Sequence, residues 1–313
     1  MSDPVKTLLF STEAYSYLAL EIARALKKPP GKLECKRFPD GERYLRILSD
    51  VRGQDALLVG GTVSDEATLD LYDIASGLVN SGCRKLTLIV PYFGYSTMER
   101  AVKPGEVVTA KNRARLLSFL PRAPFGNHIV LLDLHSEGIP FYFENETFPL
   151  HLYAKKLVLD EAKKRGGKSF SLACVDAGRA KWVQSLANDL GVPASFVYKK
   201  RIDSSKTEVS AVSASVSGKN VIIYDDMIRT GSSVIEAARA YKTAGAKSIH
   251  VICTHGLFVD LSKLKKSGVI EGVTCTDSHP HARATPPLGG FLTVLPLAPL
   301  FADYLKGAKL ETH

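Results

Sequence analysis

The sequence predicts an α/β chain of two tandem halves, each a doubly wound, mainly parallel sheet flanked by helices. Three observations predict it. Short apolar, β-branched runs alternate with stretches of helical periodicity, the pattern of strands joined by crossover helices. The strand series occurs once up to about residue 150 and again after it, with no identity between the two visible by eye. Acidic and imidazole residues follow directly on strand ends, where doubly wound sheets hold their ligands.

In chain order the strand-like runs are Thr7–Phe10, Ala56–Val59, Leu86–Val90, His128–Leu132, Ser171–Val175, Val221–Tyr224 and Ile249–Cys253. Leu18, Ile22, Ala25 and Leu26 fit a first helix, and Leu69, Tyr72, Leu78 and Val79 a second, with Asp65 and Asp70 in its early turns. Val221 to Ile223 has the composition of a fully buried parallel strand. After it, Val234, Ala237, Ala238 and Tyr241 recur at helical spacing until Gly245 ends the helix. Pro286-Pro287-Leu288-Gly289-Gly290 leads to a final strand Phe291–Leu295 and a short helix near Leu300–Leu305. The expected domains are residues 1–149 and 150–295, with 296–313 returning to the first.

With 313 residues, 45% of them hydrophobic, the chain can bury one large core or two ordinary ones, and two domains are the better expectation. A formal charge of +9 favours anionic partners. The basic residues are scattered apart from Lys163-Lys164-Arg165 and Lys199-Lys200-Arg201, with no basic stripe interleaved with aromatics. Small phosphates are therefore expected in preference to nucleic acid. Cys35, Cys83, Cys174, Cys253 and Cys275 form no C-x-x-C pair, so buried, reduced thiols are expected instead of a disulfide framework or zinc site. No apolar run has the length of a membrane span or the layout of a signal peptide, so a cytoplasmic protein without a membrane partner is expected.

The most informative stretch runs from Val221 through Asp225, Asp226, Met227, Ile228, Arg229, Thr230, Gly231, Ser232 and Ser233. It joins a buried strand, two adjacent carboxylates and a small-residue turn to a helix. Free backbone N–H groups, hydroxyls and the positive dipole end converge at such a turn on an anion such as a 5-phosphate. Paired carboxylates at a strand's carboxyl end can accept hydrogen bonds from vicinal ribose hydroxyls. The same residues also read as a solvated acidic pair that merely caps the helix.

This segment resembles the phosphoribosyl-diphosphate (PRPP) binding motif of type I phosphoribosyltransferases and of the PRPP synthetases, or ribose-phosphate diphosphokinases. Four further segments resemble the synthetases, so that together they span most of the chain. Phe38-Pro39-Asp40-Gly41-Glu42, followed by Val51-Arg52-Gly53, is similar to the family's purine-contact segment. The resemblance implies that Phe38 stacks on the base while Asp40 and Glu42 accept from its edge. Val90-Pro91-Tyr92-Phe93-Gly94-Tyr95, with Thr97, Met98, Glu99 and Arg100 and then Thr109-Ala110-Lys111, is similar to the nucleotide loop and its following helix. Better-known members carry Arg then Gln at the positions of Thr97 and Met98, and many carry an acid where this chain has Arg229.

Asp133-Leu134-His135 and Asp176-Ala177-Gly178 resemble the family's metal positions, which implies His135 and Asp176 as ligands of Mg²⁺, with Asp133 orienting His135 from behind. Tyr198-Lys199-Lys200-Arg201 resembles the start of a flexible catalytic loop, with a polar stretch Ile202 to Lys206 expected to be mobile. Lys199 and Arg201 would stabilise the transferring phosphoryl group. His255, His279 and His281 are expected to be structural or solvent-facing.

The resemblance implies two type I phosphoribosyltransferase-like domains, ATP and ribose 5-phosphate as substrates, Mg²⁺ as cofactor, and a homo-oligomer built from dimers, up to a hexamer. Pro91-Tyr92-Phe93, residues 96–100, Phe141-Tyr142-Phe143 and Thr276-Asp277-Ser278-His279-Pro280 together most resemble the plant-type class II synthetases. Two other readings stay open on the sequence: a non-catalytic regulatory homologue, which the departures at Thr97 and Met98 keep open and the retention of His135, Asp176, Lys199 and Arg201 argues against, and a PRPP-consuming phosphoribosyltransferase.

Overall fold

The structure is a computed structural model that describes residues 4–201, 207–212, 216–310 and 312; for Ala177, 198–201 and 207–212 it describes the backbone alone. The chain divides into two compact units, residues 1–153 with 297–313, and residues 154–296.

Unit 1 opens with β1 (Thr7–Ser11) and α1 (Ser16–Leu26), followed by the antiparallel hairpin β2 (Leu33–Arg37) and β3 (Arg43–Ile47). Then come β4 (Asp55–Val59), α2 (Asp65–Asn80), β5 (Lys85–Val90), α3 (Thr109–Ser118), β6 (Asn127–Leu132) and β7 (Thr147–Leu152). The sheet order is β1-β4-β5-β6-β7, with every pair parallel. Strand alternation divides its residues between two faces. Phe10, Leu58, Leu88, Val90, Ile129 and Leu131 join the core formed with α2 and α3. The intervening Leu57, Val59, Ile89 and Val130 are equally buried.

Two expected helix stripes are rotated. In α1 the buried residues are Leu18, Ala19, Ile22 and Ala23, while Ala25 is exposed. In α2 they include Leu71, Ile74, Ala75 and Leu78, while Leu69 is 54% exposed. Ser64 caps α2 by accepting from Ala67 N at 3.1 Å, and positions 71, 74, 75 and 78 then form a single i, i+3, i+4, i+7 stripe against the sheet.

Unit 2 comprises α4 (Lys155–Gly166), β8 (Phe170–Cys174), α5 (Ala180–Leu190), β9 (Ala194–Ser195), and the antiparallel ribbon β10 (Val197–Arg201) and β11 (Thr207–Val212). It continues through β12 (Asn220–Ile228), α6 (Ser232–Thr243), β13 (Ser248–Gly256), α7 (Leu261–Lys266), β14 (Gly272–Thr276), α8 (Pro280–Ala284) and β15 (Leu292–Leu295). Its main sheet has the order β15-β14-β13-β12-β8-β9, all parallel. From β8 the chain steps to β9 on one side and then to β12 on the other. The strand order thus reverses between β8 and β12, whereas in unit 1 it runs one way, so the doubly wound reversal expected of both halves is found in unit 2.

In β12, Val221 and Ile223 face the core made with α6 and α7, whereas Ile222 and Tyr224 face the core made with α4 and α5. The last helix, α9 (Ala298–Leu305), belongs to unit 1 and contacts α1.

The sequence reading passes over β2, β3, β7, β9, β10, β11 and β14. The hairpin strands carry charge on exposed positions, and β7 contains Pro149, tolerated because β7 is an edge strand. The thiols of Cys83, Cys174, Cys253 and Cys275 are buried and free, but Cys35 is exposed, because β2 belongs to a ribbon outside the main sheet.

Candidate active site

The reversal in unit 2 brings the end of β8, the end of β12 and the entry to α6 together, the position at which open α/β sheets bind ligands. The entry turn is built on Gly231. Its φ of +74° lies in the left-handed region, and a Cβ there would stand 2.4 Å from Leu264 Cδ1. Glycine alone satisfies both conditions.

The N-cap residue Gly231 offers no side-chain cap to α6, which leaves its leading N–H groups directed at whatever binds there. The turn is braced from beneath. Ile228 O accepts from Leu257 N at 3.0 Å and from Phe258 N at 3.1 Å, and Arg229 O accepts from Val259 N at 2.9 Å. Arg229, Thr230 and Ser233 are exposed and Ser232 is partly so. Lys263 on α7 donates from Nζ to Ser232 Oγ at 2.8 Å, which adds a cation that the sequence reading misses.

Asp225 and Asp226 are not placed as an equivalent pair. Successive strand residues point to opposite faces. Asp226 follows Ile222 and Tyr224 toward α5 and is 3% exposed. There Arg179 grips it, with Nε 3.2 Å from Oδ1 and Nη2 2.6 Å from Oδ2. Burial opposes the Arg179 charge, but Asp226 outweighs it and the guanidinium is held more firmly protonated than usual. Asp225 is partly exposed, and its Oδ1 accepts from Asp226 N at 3.0 Å. Burial, followed by the neighbouring Asp226 charge, pushes its carboxyl well above the ordinary aspartate range.

Asp176 is exposed just beyond β8, and its Oδ1 accepts from Gly178 N at 2.8 Å, a turn that starts the short helix carrying Arg179. Its charge adds to the upward shift of Asp225. Two accessible carboxylates near one another suit Mg²⁺, a hard ion that takes few protein oxygens and completes its shell with water and phosphate. Among the described residues no three His, Cys, Asp or Glu side chains gather into a metal cage.

The backbone of Lys199 and Arg201 lies on β10, paired with Val209 and Thr207. Their side chains, and all of residues 202–206, lie outside what is described.

In unit 1, Phe38, Asp40 and Glu42 form the exposed tip of the β2–β3 hairpin. Phe38 N donates to Glu42 O at 2.8 Å, and Asp40 Oδ1 accepts from Glu42 N at 3.1 Å, so one carboxylate oxygen shapes the turn. Phe38 is 49% exposed and meets Tyr44 edge-on, with ring centroids 6.0 Å apart. Thr97, Met98, Glu99 and Arg100 lie between β5 and α3. Met98 and Arg100 are exposed, and Glu99 O accepts from Tyr142 Oη at 2.6 Å.

His135 is exposed at the end of β6. Asp133, expected to orient it, is buried with φ +36°, and its N donates to Leu152 O at 3.0 Å. The adjoining Leu134 N donates to Nε2 of the buried His151 at 2.8 Å, a brace that the sequence reading also misses. His255 is buried and bonds Ser278 Oγ through Nδ1 at 2.8 Å, in keeping with a structural role.

The N-terminal domain model of ribose phosphate pyrophosphokinase matches residues 7–120, and the phosphoribosyl transferase domain model matches residues 153–284. The ribose-phosphate pyrophosphokinase of Fusobacterium nucleatum is 33% identical over 277 residues, covering 86% of this chain and 85% of that protein. That of Helicobacter hepaticus is 31% identical over 304 residues, covering 95% and 94%. That of the archaeon Thermococcus kodakarensis is 30% identical over 251 residues, covering 80% and 86%. The crystal structure of phosphoribosylpyrophosphate synthetase from Mycobacterium smegmatis superposes with a TM-score of 0.84 at 26% identity, covering 96% of this chain and 98% of that one. These bacterial and archaeal relatives lend no support to a plant-type class II placement. No helix among the described residues is long and apolar enough to cross a membrane. With both domain models matched in order and relatives at 30% identity or more over most of their length, the chain belongs to the ribose-phosphate pyrophosphokinase family.

Proposed function

We propose that the reacting groups are those of ATP and ribose 5-phosphate, with the β,γ-diphosphoryl group passing to the 1-hydroxyl to give PRPP and AMP. The observation that carries this reading is the placing of Asp176, Asp225 and the open entry to α6 at the strand reversal of unit 2. The 5-phosphate accepts from the first N–H groups of α6 and from the hydroxyls of Thr230, Ser232 and Ser233, with Arg229 and Lys263 as counter-charges. Asp225 accepts from a ribose hydroxyl, and Asp226 holds the strand end in place through Arg179.

The anomeric oxygen attacks the β-phosphorus of ATP. A new bond forms from that oxygen to phosphorus as its proton passes to water, the bridging bond to the α-phosphate breaks, and AMP leaves. Charge spreads over the equatorial oxygens, and Lys199 and Arg201 stabilise it. Asp176 in unit 2 would be a ligand of Mg²⁺, which when bound neutralises phosphate charge, and His135 is the candidate metal ligand of unit 1. Phe38, Asp40 and Glu42 receive the purine, and residues 97–100 lie along the nucleotide. The reading extends to a cytoplasmic homo-oligomer built from dimers. Class II behaviour rests on the residues at 96–100, 141–143 and 276–280.

The deciding experiment measures AMP and PRPP formed from ribose 5-phosphate, Mg²⁺ and ATP, repeated with GTP or CTP and with and without inorganic phosphate. Equal yields of AMP and PRPP are expected, and activity without phosphate across several donors would support class II. A folded protein that forms no AMP would be a regulatory homologue.

A further inference from the structure

Asp176 follows the end of β8, Asp225 and Asp226 lie near the end of the neighbouring β12, and the Arg179 guanidinium pairs there with Asp226. Arg179 is the residue that no sequence motif accounts for. It lies three residues beyond Asp176, on the short helix that the Gly178 turn begins, and its side chain is 20% exposed. Both of its contacts to Asp226 are made side by side, the fork geometry that a carboxylate accepts best.

We propose that Arg179 is a positioning residue that serves as the permanent counter-ion of Asp226, closing that carboxylate to metal and sugar and leaving Asp225 and Asp176 as the carboxylates that meet them. The inference rests on the reading of this edge as the ribose 5-phosphate site.

The physical reason lies in burial and alternation. Asp226 is turned under the sheet edge toward α5, where water reaches little of it. A buried carboxylate requires a paired cation. A free divalent ion could supply that charge only by shedding water, which Mg²⁺ does reluctantly. A tethered guanidinium supplies it with no loss of hydration by a free ion, and it fixes the end of β12 in one arrangement. Asp225, one residue earlier, points to the other face, on the side of the α6 entry. Adjacent aspartates in the sequence are thereby assigned different tasks by one arginine. Removing the guanidinium would take this paired charge from Asp226, and the strand end would then attract a divalent cation in its place.

The test titrates Mn²⁺ into the nucleotide-free, full-length protein and counts bound ion by electron paramagnetic resonance, for the natural protein, R179A, R179K and R179A/D226N. R179A should gain one Mn²⁺ site that R179K and R179A/D226N lack. Its KM for ribose 5-phosphate should rise about 10- to 100-fold, the range for loss of a residue that orients a ligating carboxylate, with kcat reduced less. Identical Mn²⁺ titrations for R179A and the natural protein would overturn the proposal.

Should R179A fail to melt cooperatively, D226N alone decides. Releasing the guanidinium toward Asp225 should weaken Mn²⁺ binding at that edge severalfold, and unchanged binding with an unchanged KM would overturn the proposal. Ribose 5-phosphate binding to the natural protein, measured by calorimetry, separates the two levels. Its absence would refute the site reading, whereas the Mn²⁺ comparison judges Arg179.

Discussion

Leu264 fills the space that a side chain at Gly231 would require, its Cδ1 only 2.4 Å from where a Cβ would stand. The two residues belong to different helical segments, so this contact ties the turn before α6 to α7. Gly231→Ala should therefore suffer twice, from the positive φ and from the clash. A cost of about 1–3 kcal/mol in stability is expected, together with a raised KM for ribose 5-phosphate. Urea denaturation and steady-state kinetics check both, and an unaltered KM would separate the turn from phosphate binding.

Lys263 reaches the same turn from α7 through its hydrogen bond to Ser232 Oγ. As a charged donor beside the anion it should contribute about 1.5–3 kcal/mol to binding, so Lys263→Ala should weaken ribose 5-phosphate roughly tenfold or more. Because the lysine is exposed, the protein should melt at an unchanged temperature. The loss should shrink as salt is added, which calorimetry at two ionic strengths would show.

Lys199→Ala should fold normally and lose about 10²- to 10³-fold in kcat, the usual result of removing one stabilising charge from a transition state. Near-normal turnover would remove this lysine from the mechanism.

Tyr241, fully buried on α6, donates from its hydroxyl toward two carbonyls, Cys174 O at 3.0 Å and Ser195 O at 3.1 Å, and so joins α6 to the ends of β8 and β9. Tyr241→Phe leaves those carbonyls without this donor, at an expected cost of about 1–3 kcal/mol. Equilibrium unfolding gives the value directly. A loss below a few tenths of a kcal/mol would mean that water replaces the hydroxyl.

Two histidines in unit 2 make stability depend on pH. Burial, aided by Arg165, lowers His250 from the usual 6.5 to about 4. Burial, aided by His255 and His281, does the same to His279. The unfolded chain therefore binds more protons than the folded one between about pH 4 and 6.5. Stability should be full above that window and fall as the pH drops through it, by at most about 3 kcal/mol per histidine. Replacing His250 by Gln, which can still bond Thr274 Oγ1, should flatten the slope of unfolding free energy against pH. An unchanged slope would assign the dependence elsewhere.

The parallel architecture was legible in the sequence because buried strands and amphipathic helices have periods that need no knowledge of neighbours. Val221 to Tyr224 shows this: four successive buried residues announce a strand covered on both faces. The charged hairpin tip at residues 38–42 was recognised by resemblance alone, since a short ribbon with exposed alternating charge has no core-facing signature. The rotation of the α1 and α2 stripes by a residue or two is not legible in sequence, because several apolar residues compete for the buried face and the sheet decides between them.

At the candidate site the sequence by itself determined the parts: two adjacent carboxylates, a glycine turn, a run of hydroxyls and a following helix. That adjacency suggested two equal ribose ligands. Only the tertiary structure decided their placement, since strand pleating sends Asp225 and Asp226 to opposite faces, and what meets each depends on segments far along the chain. Arg179 arrives from the turn after β8 and Lys263 from α7, neighbours brought by the reversal of strand order at β8 and by the docking of α7 against Gly231. Local chemistry is written in consecutive residues, whereas the pairing of charges depends on which strand ends the fold places side by side.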